Sequence, residues 1–418
     1  MNALVAALPR AFLEKRLDSL FSSWRSKFGE QPIAVELWNG KRFTLGESFG
    51  EASTLVLRIK SPKALGQLMR PSLASLGTAY VEGHLDFEGR MTDAFDKVAG
   101  FVSSLCPDSE RPRLRKARHT RQLDSESIAH HYDLSNDFYR LWLDENMVYS
   151  CAYFRSSDDT LEQAQIQKID HILNKIRLQP GERLLDIGCG WGALVLRAAQ
   201  KYGARCVGIT LSREQFDEAT RRVREAGLQD RCEIRLQDYR DITEAFDKIT
   251  SVGMFEHVGL NHLRGYFGKI YDLLRDGGVA MNHGITSTDA ESGESPYGGG
   301  DFIGRYVFPN GELPHIGLLL KEISAAGLET TDVENLRVHY ARTLEHWSDR
   351  FEDNATQLKA IAGDKRYRIW RAYLAGCAYG FAKRWISLHQ IVACKPGATG
   401  SYGGYPLPLT REYMYRDA

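Results

Sequence analysis

The segment Leu185-Asp186-Ile187-Gly188-Cys189-Gly190-Trp191-Gly192 constrains this 418-residue chain more than any other. A short apolar run ends in an acid and three alternate glycines, and a helical pattern begins at Ala193. Alternate glycines leave no Cβ in the way of a ligand and let the backbone turn tightly into the helix. A strand, loop and helix joined in this way open a βαβ unit, whose ligands bind at the carboxyl ends of parallel strands.

The pattern then repeats. Strands are predicted over Arg183–Ile187, Arg205–Ile209, Cys232–Leu236, Lys248–Val252 and Gly278–Asn282. Between them, residues 193–202, 213–226 and 261–274 carry apolar side chains at helical spacing. Further helices are expected at about 344–361 and 366–380, and a last strand over 381–393. The expected fold class is α/β, a doubly wound Rossmann-like sheet preceded by a small N-terminal α+β domain. The division follows the chain: 1–107 as the N-terminal domain, 108–123 as a basic linker, and 124–418 as the catalytic domain.

Composition narrows the function. Basic and acidic residues balance at 54 each, so the whole molecule has no bulk field for nucleic acid. Locally, residues 1–123 hold 19 basic and 13 acidic side chains, a net of +6, and six Arg/Lys fall within Arg111–Arg121. That stretch reads either as a solvated connection or as an arm for anionic lipid headgroups. The seven cysteines are scattered with no CxxC pair, which points to free thiols and away from zinc. No apolar run reaches a bilayer-spanning length, and the expected location is cytoplasmic, peripheral to the inner face of the membrane.

The loop discriminates between cofactors. A dinucleotide site wants G-x-G-x-x-G and an acid about 20 residues later. Here the spacing is G-x-G-x-G, the acid Asp186 lies in the strand, and residues 207–211 read Val-Gly-Ile-Thr-Leu. This disfavours NAD. The loop resembles the S-adenosylmethionine site of class I methyltransferases, with a purely structural strand-to-helix turn as the remaining reading.

The resemblance sharpens along residues 130–394. His130-His131-Tyr132-Asp133, Tyr149-Ser150-Cys151-Ala152-Tyr153-Phe154, the glycine loop, Thr210-Leu211-Ser212-Arg213-Glu214-Gln215, Gln237-Asp238-Tyr239, Met254-Phe255-Glu256-His257 and Tyr306-Val307-Phe308-Pro309 follow in order. Together they resemble the cyclopropane fatty acid synthase family and its mycolic-acid-modifying and methyl-branching relatives. Gly77-Thr78-Ala79-Tyr80-Val81-Glu82-Gly83 looks more loosely like the extra domain of bacterial lipid-modifying members.

The resemblance implies methyl transfer from S-adenosylmethionine to the cis double bond of a phospholipid acyl chain, with a bicarbonate ion as base. It places that ion on Cys151, Glu256, His283, Tyr340 and the main chain of Ile285. It places the cofactor on Asp186, Gly188 and Gly190, on Thr210 and Gln215 at the ribose, on Asp238 at the adenine, and under Tyr132, Tyr149 and Ser150. It also implies a homodimer. Weighed without it, Cys151 reads as an inert buried thiol, Glu256 as a helix cap, His283 as a structural histidine and Tyr340 as a half-buried aromatic. Rival activities are a methylene- or methyl-branched product and, against the basic N-terminal segment, methylation of a small amine.

Overall fold

The computed structural model describes residues 19, 21–22, 33–45, 55–69, 71–105, 134–291, 299–309, 311–397 and 401–415. Segment 108–123, Tyr132 and Cys106 lie outside the described residues.

Contacts group the chain into two compact units that cross the linear division at 107, 123 and 124. One unit takes residues 1–113, 294–309 and 347–380; the other takes 114–293, 310–346 and 381–418.

The first unit holds a four-stranded sheet in the order β2-β1-β3-β4, with β1 (Ile33–Leu37), β2 (Arg42–Leu45), β3 (Leu55–Ile59) and β4 (Leu85–Phe87). β1 and β3 are parallel and the remaining pairs antiparallel. Late residues of the chain are built into this unit. The Arg368 guanidinium donates to the carbonyls of Tyr80 at 2.7 Å and Leu85 at 2.9 Å. A side chain at Gly77 would meet the Phe302 ring 2.7 Å away, so glycine there permits the helix Leu73–Val81 to approach Gly299–Tyr306.

The second unit is the predicted α/β body. Its sheet runs β10-β11-β9-β8-β5-β6-β7, with β5 (Arg183–Ile187), β6 (Arg205–Thr210), β7 (Cys232–Leu236), β8 (Phe246–Val252), β9 (Leu274–Ser287), β10 (Glu329–Asn335) and β11 (Ile386–Cys394). β5 to β9 are parallel; β11 runs antiparallel between β9 and β10. β5 lies between β6 and β8, so the strand order reverses there and opens a crevice at the strand ends. Neighbouring residues of a strand bury on opposite faces. Leu184, Cys206 and Met281 join the layer of helices Leu161–Lys175 and Ala193–Lys201, whereas Leu185, Val207 and Ala280 join Leu263–Leu273 and Ile316–Ala325.

Several boundaries differ from expectation, and β9 runs over Leu274–Ser287 where only Gly278–Asn282 was expected. The final strand starts at Ile386 because the preceding helix, Ala355–Ala382, continues through residues 381 and 382. The two expected helices divide at Asn354, between Arg337–Asp353 and Ala355–Ala382. Gly363, with φ 79°, interrupts the second one inside the gap that the sequence leaves between 361 and 366.

Candidate active site

The glycine loop is built as its composition demands. Gly188, Gly190 and Gly192 have φ of 80°, 54° and 85°, a region that disfavours side chains. The backbone N–H groups of Gly188 and Cys189 both donate to the Ile209 carbonyl, which ties the loop to β6. A Cβ at Gly208 would stand 3.0 Å from the Cys189 side chain, so β6 needs glycine where the loop crosses it.

The cavity above this loop is lined by Tyr149, Ser150, Asp186, Gly188, Gly190, Thr210 and Gln215, all expected cofactor residues. Thr210 Oγ1 donates to Gln215 Oε1 at 2.8 Å, and Ser212 caps the following helix through the Gln215 N–H. Asp186 is buried and accepts from Thr250 Oγ1 at 2.7 Å; burial pushes its carboxyl up to about 6 despite that bond. Asp238 stands next to the lining. Its two carboxylate oxygens are engaged by the Arg240 guanidinium at 2.9 and 2.6 Å, and its neighbours Gln237 and Tyr239 line the cavity instead.

Beside this cavity, strand register and backbone bonds link the segments that carry the five expected catalytic positions. His283 and Ile285 lie two residues apart on β9 and therefore share a face. Opposite them on β11 stand Gln390 and Leu388. Glu256, in the short turn after β8, accepts from the Ile285 N–H through Oε1 at 2.6 Å. Leu336 donates to the Leu388 carbonyl, and its own carbonyl receives the Tyr340 N–H at 3.0 Å and the Cys151 thiol at 3.9 Å. Tyr340 is buried with its ring 4.6 Å from that of Phe381. The group abuts the cavity directly. Ser150 precedes Cys151, Met254 and His257 flank Glu256, and the Gly253 N–H donates to the His283 carbonyl at 2.7 Å.

The electrostatics of the group are those of a dry pocket. Burial pushes Glu256 up to about 7 against the opposing hydrogen bond from Ile285. Burial drives His283 well below the ordinary histidine range, with the Lys168 charge acting in the same direction. Burial also raises the Cys151 thiol far above its ordinary value. Cys151 is therefore a neutral S–H, donating to the Ala152 carbonyl at 3.2 Å, and no thiolate nucleophile. Gln390 Nε2 lies 3.2 Å from His283 Nδ1. With the amide nitrogen facing the ring, Nδ1 accepts and the imidazole proton is then on Nε2. Glu256 Oε2 and His283 Nε2 are buried with no hydrogen-bond partner among the described residues. One is an acceptor and the other a donor, which is the pair that a protonated oxyanion satisfies.

Three contributors escape motif reading. Lys168 lines the cavity, Gln390 fixes the His283 tautomer, and Thr343 receives the Ala152 N–H at 3.0 Å and so anchors the Cys151 segment. Lys168 did leave a signal. Leu161, Ala164, Ile169, Ile172 and Leu173 form the buried face of their helix, and Gln165 and Lys168 occupy apolar register on it. A lysine in that register is misplaced unless it has work inside.

Comparison with known proteins agrees with this geometry. Residues 119–391 match the family model described as mycolic acid cyclopropane synthetase, and residues 20–108 match a domain of unknown function. A probable fatty acid methyltransferase of Pseudomonas putida is 48% identical over 387 residues, covering 92% of this chain and 96% of that protein. The cyclopropane synthase MmaA2 from Mycobacterium tuberculosis superposes with a TM-score of 0.62 at 35% identity, over 65% of this chain and 98% of that one. The mycolic acid cyclopropane synthase CmaA1, solved with SAH and CTAB, gives the same TM-score at 37% identity over the same shares. With the acid-glycine cavity in place, these matches show that the chain belongs to the cyclopropane synthase family of S-adenosylmethionine-dependent methyltransferases.

Proposed function

We propose that the protein transfers a methylene unit from S-adenosylmethionine to the cis double bond of unsaturated phospholipid acyl chains and so forms cyclopropane fatty acids. The observation that carries this reading is the buried, partnerless pair Glu256 Oε2 and His283 Nε2 beside the glycine-loop cavity. S-adenosylmethionine, when bound, supplies an electrophilic methyl group. An alkene is a weak nucleophile, so the protein's work is to hold the double bond in line with that methyl, exclude water, and receive the proton lost as the ring closes.

The residues fit that work. The glycine loop, Asp186 and the Thr210–Gln215 pair suit the amino-acid and ribose ends of the cofactor. A bicarbonate-class anion would answer the unpartnered atoms: His283 Nε2–H would donate to it, Glu256 Oε2 would accept its hydroxyl, and the neutral Cys151 and Tyr340 would border it. Glu256, tuned to about 7, can then pass the collected proton onward near neutral pH. Substrate delivery from the inner membrane face and assembly as a homodimer complete the proposal. Among the described residues no helix is long and apolar enough to cross a membrane.

A second reading, a methyl- or methylene-branched acyl product, is favoured by the similarity to the probable fatty acid methyltransferase of Pseudomonas putida. One experiment separates the two. Purified protein is incubated with S-adenosylmethionine and mono-unsaturated phospholipid vesicles, and the released acyl chains are identified by mass spectrometry and proton NMR. Upfield ring-methylene protons support the first reading and an olefinic or branched methyl signal supports the second. Acyl chains that gain no carbon overturn both. Co-sedimentation with anionic but not neutral vesicles is the expected behaviour of the whole protein, and equal sedimentation with both contradicts the membrane proposal.

A further inference from the structure

Lys168 is the feature that the proposed chemistry leaves unused. It is 2% exposed, in the middle of the helix Leu161–Lys175, and its ammonium lines the same cavity as Ser150 and Asp186. Taking an ammonium out of water is expensive unless a carboxylate or several hydrogen bonds compensate it. Among the described residues no carboxylate ion-pairs with Lys168, and its single hydrogen bond goes to Ser150 Oγ at 2.8 Å. Asp144 and Asp186 exert attraction from a distance, but each is committed elsewhere. Asp144 accepts the Val148 and Asn146 N–H groups, and Asp186 accepts the Thr250 hydroxyl. Two ammonium protons are thus left over on a buried cation at the cavity wall. Ser150 Oγ accepts from Lys168, so its own hydroxyl proton is available to donate outward.

We infer that Lys168, directly and through the Ser150 hydroxyl, binds the methionyl carboxylate of S-adenosylmethionine and selects for cofactors that carry it. The inference rests on the cofactor reading of this cavity. It follows from charge: the amino-acid end of the cofactor brings a carboxylate, and Lys168 supplies the counter-charge it needs. Buried donors without partners favour a ligand that completes them and penalise one that does not. Burial holds the Lys168 ammonium down to about 8, with Asp144, Cys151 and Asp186 opposing the shift. The site therefore loses its charge within an accessible pH range.

The test is a binding measurement on the full chain by calorimetry, with no turnover involved. S-adenosylhomocysteine carries the carboxylate; 5′-methylthioadenosine keeps the nucleoside and sulfur but lacks the amino-acid end. Lys168→Met is expected to weaken S-adenosylhomocysteine by about 30-fold or more while 5′-methylthioadenosine stays within about twofold. Ser150→Ala, at a less buried position, is expected to produce the same selective loss in smaller measure. In the unsubstituted protein S-adenosylhomocysteine should bind progressively more weakly above about pH 8, and Lys168→Met should show only the ligand's own titration. Equal losses for both ligands, or none for either, overturn the inference and leave the cofactor cavity standing. Failure of the unsubstituted protein to bind either ligand overturns the cavity reading and the inference with it. If Lys168→Met does not fold, Ser150→Ala and the wild-type pH series decide in the same way. A loss confined to bicarbonate dependence of turnover, with S-adenosylhomocysteine affinity unchanged, also overturns it, since Lys168 would then serve the proposed anion.

Discussion

Glu256 is a side chain whose burial is costly to the fold and which the proposed chemistry requires. Its carboxyl is buried with Oε2 unpartnered, and its protonation point is raised to about 7 from 4.5. A carboxyl raised in the folded state holds its proton while the unfolded chain has already released it. Stability is therefore unaffected at low pH, declines as pH rises from about 4.5 to 7, and stays diminished above that. Glu256→Gln removes the ionisation and keeps the Ile285 contact. Denaturant unfolding should find this variant more stable than the parent at pH 8, by on the order of 2 kcal/mol, and indistinguishable from it near pH 4. The same variant should lose at least about 100-fold in turnover on phospholipid while binding S-adenosylhomocysteine within twofold. In the parent, kcat/KM should rise with pH on a limb centred near 7. Unchanged turnover in Glu256→Gln removes the residue from the proposed chemistry. Gln390 acts one step further out, and its loss should be read in the tautomer: ¹⁵N shifts of His283 in Gln390→Leu are expected to show mixed Nδ1–H and Nε2–H forms instead of Nε2–H alone.

At the scale of elements, two glycines separate cofactor binding from chemistry. A Cβ on Gly284 of β9 would overlap the Phe255 ring, and Phe255 immediately precedes Glu256. Gly284→Ala must displace that ring and with it the carboxylate, so turnover is expected to fall by at least about tenfold with cofactor affinity nearly unchanged. Gly208→Ala on β6 presses instead on Cys189 in the glycine loop, and should weaken S-adenosylhomocysteine first. Equilibrium binding and steady-state rates on both variants check the contrast; the reverse pattern would contradict it. The elements also show what the sequence could carry. The parallel strands β5 to β8 were legible because both faces are covered and their apolar runs are nearly continuous. The glycine loop was legible as a motif, and Cys151, Glu256 and His283 were singled out through the family resemblance. Gln390 was not, because its meaning arises only from the antiparallel register that sets it opposite His283. The pairing of Asp238 with Arg240, two residues on, was not legible because a motif does not show which cation meets a carboxylate. The end of the helix Ala355–Ala382 was placed too early since Phe381 and Ala382 are as apolar as the strand that follows.

At the scale of the whole molecule, the solved relatives cover 65% of this chain, whereas the Pseudomonas putida protein matches 92% of it. The additional sequence is interlocked with the family segment. Within the first unit the Met91 N–H donates to Glu352 at 2.8 Å, Arg371 pairs with Glu352 at 2.6 Å, and the Phe95 ring lies 3.1 Å from where a Gly376 side chain would begin. Arg368 has its guanidinium satisfied by the carbonyls of Tyr80 and Leu85. Deleting residues 1–113 would leave these buried polar groups unpaired and strip the Phe95 ring from Gly376 and Tyr379. The truncated chain is expected to be insoluble or to melt roughly 10 °C or more below the full protein in differential scanning calorimetry. An equally stable truncation would mean that residues 347–380 find their packing elsewhere.

The central claim is that an acyl double bond accepts the methyl carbon and that a buried base then takes a proton from that methyl. Trideuteromethyl S-adenosylmethionine with mono-unsaturated phospholipid tests it directly. The account predicts an acyl product carrying two of the three deuterons on a ring carbon, with the third lost to solvent. Retention of all three, or label on the headgroup with none in the acyl chain, would contradict it.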